Sequence, residues 1–445
     1  MRNLGVVISL LLALPLQAAW KAGVAQSKIT PNESIWLAGY GDRTRPSEGV
    51  LLDIYVKALA LDAEAGKPVV LVTADLVGFP REISDPVAAR CEKEFGLARD
   101  RLVLNASHTH SAPVMSRSAA PRELDERQWQ AVDRYRVFLI EKTVAVIGEA
   151  LHNMRPAEVK FGQSFAGIAV NRRRAYPNSR SRTTQVDPDV PVMTVTGTDG
   201  KLRAIVVGYA CHATVLNIYQ VSGDWPGFAQ EYIEKAHPGA VALFVQGAGA
   251  DANPLPRRSV ELARLYGRVL AAAVEDVLHG PMKPVAGPVR TSYEIVQVPF
   301  HQVPTRQELV AQYPGRPRPR VARWIDAMDR GEKLPEYYPY AVQVWQYGGS
   351  LKFIALAGEV VSDYSLRLKI QYGWDDTWVA GYSNDVFGYT PSARVLREGG
   401  YEAEQSGYVS QFSPAIEELI VEKVAALMAR TGRRVERSAR AAGSQ

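Results

Sequence analysis

The chain has 445 residues, 47% of them hydrophobic and 22% charged, with a formal net charge of +5. That length supports a large core in one or two domains, and the composition is that of a soluble globular protein. Two cysteines, Cys91 and Cys211, exclude a disulfide scaffold and leave at most one bridge. The basic clusters, Arg172 to Arg174 and the tail from Arg430 to Arg440, carry no interleaved aromatics. Nucleic acid is therefore excluded as a partner, while weak attraction to anionic substrates or peripheral contact with a membrane surface stays open. Nothing in the composition sets the oligomeric state.

The first segment reads as a leader. Arg2 precedes an apolar run from Leu4 to Leu16, followed by Ala18 and Ala19 before Trp20. This layout predicts a cleavable signal peptide over residues 1–19 and a secreted or periplasmic protein. Strands are then expected at Val50–Leu61, Pro68–Val77 and Arg101–Ala106, with helices at Arg81–Phe95 and Gln128–Leu151. Strands at Leu202–Cys211 and Val241–Gln246 flank a helix near Pro226–His237, and Ser259–Leu278 reads as a further helix. Val289–Gln297 and Ala341–Ala357 are strand-like. The Pro- and Arg-rich stretch Val303–Pro339 between them reads as an insertion over the sheet, with a short helix at Arg320–Asp329. A helix at Val360–Gln371, a strand at Trp378–Tyr382 and a terminal helix at Ala415–Arg430 complete the domain of residues 20–430. Residues 431–445 form a basic tail expected to be disordered. The alternation predicts an α/β fold: a layered mixed sheet flanked by helices, with a site at the carboxyl ends of its strands.

Only seven histidines are present. His108 and His110 directly follow a predicted strand, and an extended His-x-His turns both rings to one side. His212 follows a second buried strand, Glu359 a third, and Tyr389 lies just beyond a fourth. Zinc takes neutral imidazole and carboxylate ligands, and a catalytic site needs about three protein ligands. The pattern therefore points to a metal site. His152, His237 and His279 end predicted helices, where the dipole favours them. Asp224 reads as a cap for the helix that Pro226 begins. The run Gln246–Ala250 lacks the Lys-Ser/Thr ending of a phosphate loop and reads as small residues that let backbone approach the site.

Taken in order, several motifs resemble the catalytic domain of the neutral, non-lysosomal ceramidases. They are His108-Thr109-His110-Ser111-Ala112-Pro113, Asn171-Arg172, His212 leading to Ser222-Gly223-Asp224-Trp225-Pro226-Gly227, Gly358-Glu359, Tyr389, and Tyr401-Glu402. The resemblance runs from Gly23 to about Arg430. It implies one zinc ion per chain, held by His108, His212, Glu359 and Tyr389. It also implies that His110, Arg172 and Tyr401 hold the scissile carbonyl or its oxyanion.

Three departures matter. Asn253, in Ala250-Asp251-Ala252-Asn253-Pro254, stands where that family carries its serine nucleophile, and an amide cannot replace an alkoxide. Val114-Met115 replaces a Gly-Gly stretch, and the chain reads as lacking the family's C-terminal β domain. The expectation is an exported zinc hydrolase that cleaves an N-acyl bond in a small-molecule or lipid substrate by activated water, with Asn253 on the substrate or oxyanion. An esterase, a deacetylase for a sugar or cell-wall amide, and a non-catalytic metal-containing binding protein are the alternatives.

Overall fold

The computed structural model describes residues 20–442, except 65, 118–119, 176–184, 313–318 and 407–409. The expected signal peptide lies outside the described residues. Among the described residues, no helix is long and apolar enough to cross a membrane.

Two sheets, not one, form the framework. The larger has nine strands. It contains Trp20–Lys28, Tyr55–Asp62, Val69–Ala74, Leu102–Ala106, Arg155–Phe165, Asp189–Gly197, Leu202–Tyr209 and Val241–Gln246, with Lys283–Pro284 on Arg155–Phe165. Its pairs are mixed: Val69–Ala74 runs parallel to Leu102–Ala106, and Leu202–Tyr209 parallel to Val241–Gln246. The smaller sheet orders Val289–Pro299, Tyr337–Tyr347, Leu351–Leu356 and Thr377–Ala380.

Alternate residues assign the layers. Leu59, Leu61, Val69, Leu71, Val103, Met193, Val206 and Leu243 face the second sheet and meet Trp345, Tyr347, Phe353 and Trp378 in one cluster. Their neighbours point the other way. Val70, Val72 and Leu104 pack on the helices Arg81–Phe95 and Glu126–His152. Val207 and Phe244 pack on Asp224–Ala236 and Val260–His279. The outer face of the small sheet is covered by Ser362–Tyr372 and the terminal helix. Strands buried on both faces read as continuous apolar runs, which is why the sequence announced them.

Some boundaries differ from expectation. Val50–Leu61 is not one strand: Gly49–Val50 is a two-residue bridge partner of Gln220–Val221, and the strand proper starts at Tyr55. Ala341–Ala357 is a hairpin, Tyr337–Tyr347 and Leu351–Leu356, turning at Gly348 with φ +54°. Val360 belongs to a short strand with Glu359, so the next helix starts at Ser362. The stretch 303–339 holds two helices, Arg306–Gln312 and Pro319–Asp329, with a small core of Leu309, Val321 and Leu334. The terminal helix runs on to Ala442, past Arg430 and into the tail expected to be disordered. Cys91 and Cys211 are both buried and free, so the bridge left open does not form.

Candidate metal centre

The strand ends converge as expected. Asn105, the penultimate residue of its strand, accepts from the Gln246 backbone N–H at 2.8 Å and donates to Gly381 O at 2.7 Å. It thereby ties two ends of the large sheet to the loop after Thr377–Ala380. Around this tie sit the predicted donors.

His108 is not extended: its φ is +60°, a left-handed value that a non-glycine residue adopts only when its surroundings impose it. The extended-strand argument for paired rings therefore fails locally, yet the rings still meet. His108 and His110 lie edge to face with Nε2 atoms 3.1 Å apart. His110 packs against Gly39, where an added Cβ would lie 2.3 Å from the ring.

The backbone orients two of the imidazoles. His108 Nδ1 is 2.6 Å from Val77 O, and His212 Nδ1 is 3.0 Å from Gly249 O. A carbonyl can only accept, so each Nδ1 carries the proton and each Nε2 presents a lone pair. Gly249 makes this approach possible, since a Cβ there would strike the Ala210–Cys211 backbone at 2.4–2.5 Å. Both lone pairs face Glu359: Oε2 lies 3.2 Å from His108 Nε2 and 3.4 Å from His212 Nε2, and it is buried with no hydrogen-bond donor. With both imidazoles in that neutral tautomer, three acceptor atoms converge. A cation satisfies such a cluster, and the two imidazoles and carboxylate are the donor set that zinc prefers. With His110 included, three imidazoles offer nitrogens within 4.8 Å of one another.

Glu359 and Tyr389 are direct partners in a two-residue parallel pairing, which brings the Tyr389 hydroxyl to 3.5 Å from His212 Nε2. Arg172 donates to Tyr389 Oη at 3.0 Å, to Asn253 Oδ1 at 3.3 Å and to Glu402 Oε1 at 2.6 Å. The Tyr401 ring, 50% exposed, stands 5.5 Å from that of Tyr389 and 5.4 Å from the Arg172 guanidinium. All eight residues singled out by sequence therefore gather at one place.

Charge states follow from burial and neighbours. Burial, then Arg172, lowers the His212 pKa to about 4. Burial, then His108 and His212, holds His110 well below the usual histidine range. Burial opposes ionisation of Glu359, but His108 and His212 prevail and keep its carboxyl well below the carboxylate range. Burial and Glu359 keep the Tyr389 phenol protonated. His110 and His212 are thus neutral, Glu359 is a carboxylate and Arg172 is a paired guanidinium.

Some contributors escaped the sequence reading. Glu402, fully buried, binds both Arg172 and Arg173; its position beside Tyr401 was the available signal. The Tyr382 ring lies 4.5 Å from that of His108, tilted by 40°, and Asp251 holds Asn171 and Ser362. Asp224 does not cap its helix. Gly223 is the cap residue, and Asp224 accepts from Leu216 N at 2.9 Å, pinning the loop after His212. His152 and His279 do end helices, and His237 caps one.

Residues 20–255 match the family described as neutral/alkaline non-lysosomal ceramidase, N-terminal. Among solved structures the chain resembles neutral ceramidase from Pseudomonas aeruginosa, with 18% identity and a TM-score of 0.73 over 93% of this chain and 75% of that one. It also resembles a ceramidase complexed with C2, with 17% identity and a TM-score of 0.72 over 92% and 75%. These likenesses cover both sheets and carry the α/β fold expected from the sequence. With more than half its length matching the family, the chain belongs to the neutral/alkaline non-lysosomal ceramidases, a family of hydrolases.

Proposed function

We propose that the protein is an exported zinc-dependent hydrolase that cleaves an N-acyl amide bond with water as the nucleophile. The observation that carries this reading is the set of three converging acceptors, His108 Nε2, His212 Nε2 and Glu359 Oε2, with both imidazole protons committed to backbone carbonyls. With Tyr389 as fourth ligand, a bound zinc ion would polarise the scissile carbonyl and lower the pKa of water toward about 7. His110 has no carbonyl on its Nδ1, unlike the other two rings. This supports a place facing the substrate rather than on the metal.

The remaining residues bind and orient. Asn253 Oδ1 is occupied by Arg172, which leaves the Nδ2 hydrogens as donors for the substrate carbonyl oxygen as it gains charge. Arg172, fixed by Glu402, keeps its charge beside that oxygen. Tyr401 closes the mouth. No side-chain nucleophile stands at Asn253, so no acyl-enzyme forms there. The leader-like residues 1–19 support export.

Purified protein should contain about one zinc per chain, lost in His212→Ala, and should hydrolyse N-acyl compounds without trapping an acyl-enzyme. Metal-free protein whose activity is unchanged by His108→Ala and His212→Ala would overturn the reading. Asn253 also favours a second reading, an esterase or deacetylase; faster cleavage of O-acyl or N-acetyl sugar substrates than of long-chain amides would select it.

A further inference from the structure

The parts of the candidate site are fastened together at the segment Ala250–Asn253. The Ala250 N–H donates to Val360 O at 3.0 Å, next to Glu359. The His212 N–H donates to Ala252 O at 3.0 Å, and Ala252 and Asn253 pair with Asn171 and Val170. The Arg172 N–H donates to Asp251 O at 2.8 Å. The proposed metal ligands His212 and Glu359 therefore share one support with Arg172 and Asn253.

Within this support the Asp251 carboxylate is fully buried. Its Oδ1 accepts from Ser362 N at 2.8 Å and from Ser362 Oγ at 2.7 Å, and its Oδ2 accepts from Asn171 Nδ2 at 2.8 Å. Ser362 opens the helix Ser362–Tyr372 just beyond Glu359, and Asn171 directly precedes Arg172. One carboxylate thus bridges the segment bearing Glu359 and the segment bearing Arg172.

A helix usually takes its cap from the residue before it, through a Ser, Thr, Asp or Asn side chain. Here that residue is Val361, which is buried and makes no side-chain cap. The Ser362 N–H is satisfied instead by Asp251, 111 residues away in sequence, and the negative charge suits the helix dipole. Burying a carboxylate costs free energy that a Ser or Thr cap at position 361 would not. What the distant cap adds is registration between two segments that a local cap would leave independent.

We infer that Asp251 is a positioning residue, whose carboxylate sets Glu359 against His108 and His212 on one side and Arg172 with Asn253 on the other. It reaches the site only through Ser362 and Asn171. Its catalytic consequence rests on the hydrolase reading; its consequence for ion binding needs no substrate.

The test compares wild type, Asp251→Ala, Val361→Thr and the double variant. Zinc affinity is read by competition with a chelator, stability by denaturant unfolding, and kcat and KM at saturating zinc on N-lauroylethanolamine as the N-acyl probe. Val361→Thr supplies the missing local cap. Asp251→Ala should lower stability and weaken zinc binding about 10–100-fold, the range for a group that supports a metal ligand from behind. It should also lower kcat with KM held, as when a contact made in the transition state is set out of place. In the double variant stability should recover while zinc affinity and kcat stay low. Asp251→Asn keeps the volume and reports if Asp251→Ala fails to fold; its amide turns a donor toward either Ser362 or Asn171, so it should show part of both losses. Recovery of zinc affinity and kcat together with stability in the double variant would mean that Asp251 only caps a helix, and overturns the inference. Wild-type zinc affinity in Asp251→Ala, or in Asp251→Asn if that variant alone folds, overturns it as well. If wild type binds zinc but cleaves nothing, the amide reading falls while the zinc affinities still decide the role of Asp251. Wild type that takes up no zinc overturns the metal reading and the positioning role together.

Discussion

The two sheets supply the candidate site in different ways. From the large sheet come His108 and His212, each close to a strand end and each fastened by its own Nδ1 to a backbone carbonyl. From the segments that follow two strands of the small sheet come Glu359 and Tyr389, fastened to one another by a separate two-residue parallel pairing. The carboxyl tip of Glu359 has no hydrogen-bond donor, and the Tyr389 hydroxyl is held by Arg172. One half is set by local backbone; the other is set by contacts that exist only when the sheets are docked. The candidate metal centre is thus also a joint between the layers, and a cation bound there would join acceptors contributed from both.

The largest effect should follow from breaking that joint from either side. His212→Ala and Glu359→Gln should both lose the ion and lower turnover by three orders of magnitude or more, on the order of 4 kcal/mol of transition-state stabilisation. Metal analysis with kcat/KM checks this. If Glu359→Gln retains metal and activity, the small sheet contributes scaffolding only and the two-sided picture fails. Chelation should also lower the melting temperature, since binding to the folded state alone stabilises it.

The next effect concerns how the arginine side is held. Glu402 is buried between Arg172 and Arg173, and Arg173 is itself fully buried. Removing one partner of a buried pair strands the other charge and costs about 3–5 kcal/mol. Glu402→Ala should therefore cost stability of that order in denaturant unfolding. A change under about 1 kcal/mol would mean that Glu398 and the Gly399 carbonyl suffice for Arg173.

The same contrast explains what the sequence disclosed. His108, His212 and Glu359 were legible because each lies just past a strand buried on both faces, and such strands are unbroken apolar runs. Trp20–Lys28 and Arg155–Phe165 escaped because polar residues alternate along them. In the latter, Ala157, Val159 and Phe161 face inward while Glu158 and Lys160 are exposed. Asp189–Gly197 is buried, but Pro191 and its threonines interrupt the run. No local pattern says which sheet a strand joins, so the second sheet was invisible although three of its segments read as strand-like. Glu402 and Asp251 were missed for a related reason: buried carboxylates acquire meaning only from partners far away in sequence.

A smaller, pH-dependent effect tests the large-sheet half. Asp224 pins the loop after His212, and burial pushes its carboxyl up to about 6 from 3.8, against its backbone hydrogen bonds. A raised folded-state value means that its contribution is fully present below pH 3.8 and is lost as pH rises through about 6. Relative to Asp224→Asn, the wild type should lose roughly 3 kcal/mol between pH 4 and 7, two pH units at about 1.4 kcal/mol each. Unfolding of both proteins across that range measures it. A flat difference would mean that the carboxylate is satisfied in its charged form, and the anchor of His212 would then be indifferent to pH.

The smallest structural effect should come from Tyr401. Its ring is 50% exposed and rests against Tyr389 and Arg172 at the mouth of the site. Exposed substitutions usually change stability by under about 0.5 kcal/mol, and Tyr401→Phe keeps the ring contacts. Its cost should therefore appear in catalysis and not in unfolding. If its hydroxyl meets the oxyanion, kcat and kcat/KM fall together while KM holds, because an interaction made only in the transition state is lost. If the residue only covers the substrate, KM rises and kcat stays. A stability loss comparable to that of Glu402→Ala would show that the small-sheet side depends on this ring for its packing, and would move Tyr401 from the mouth of the site into the joint itself.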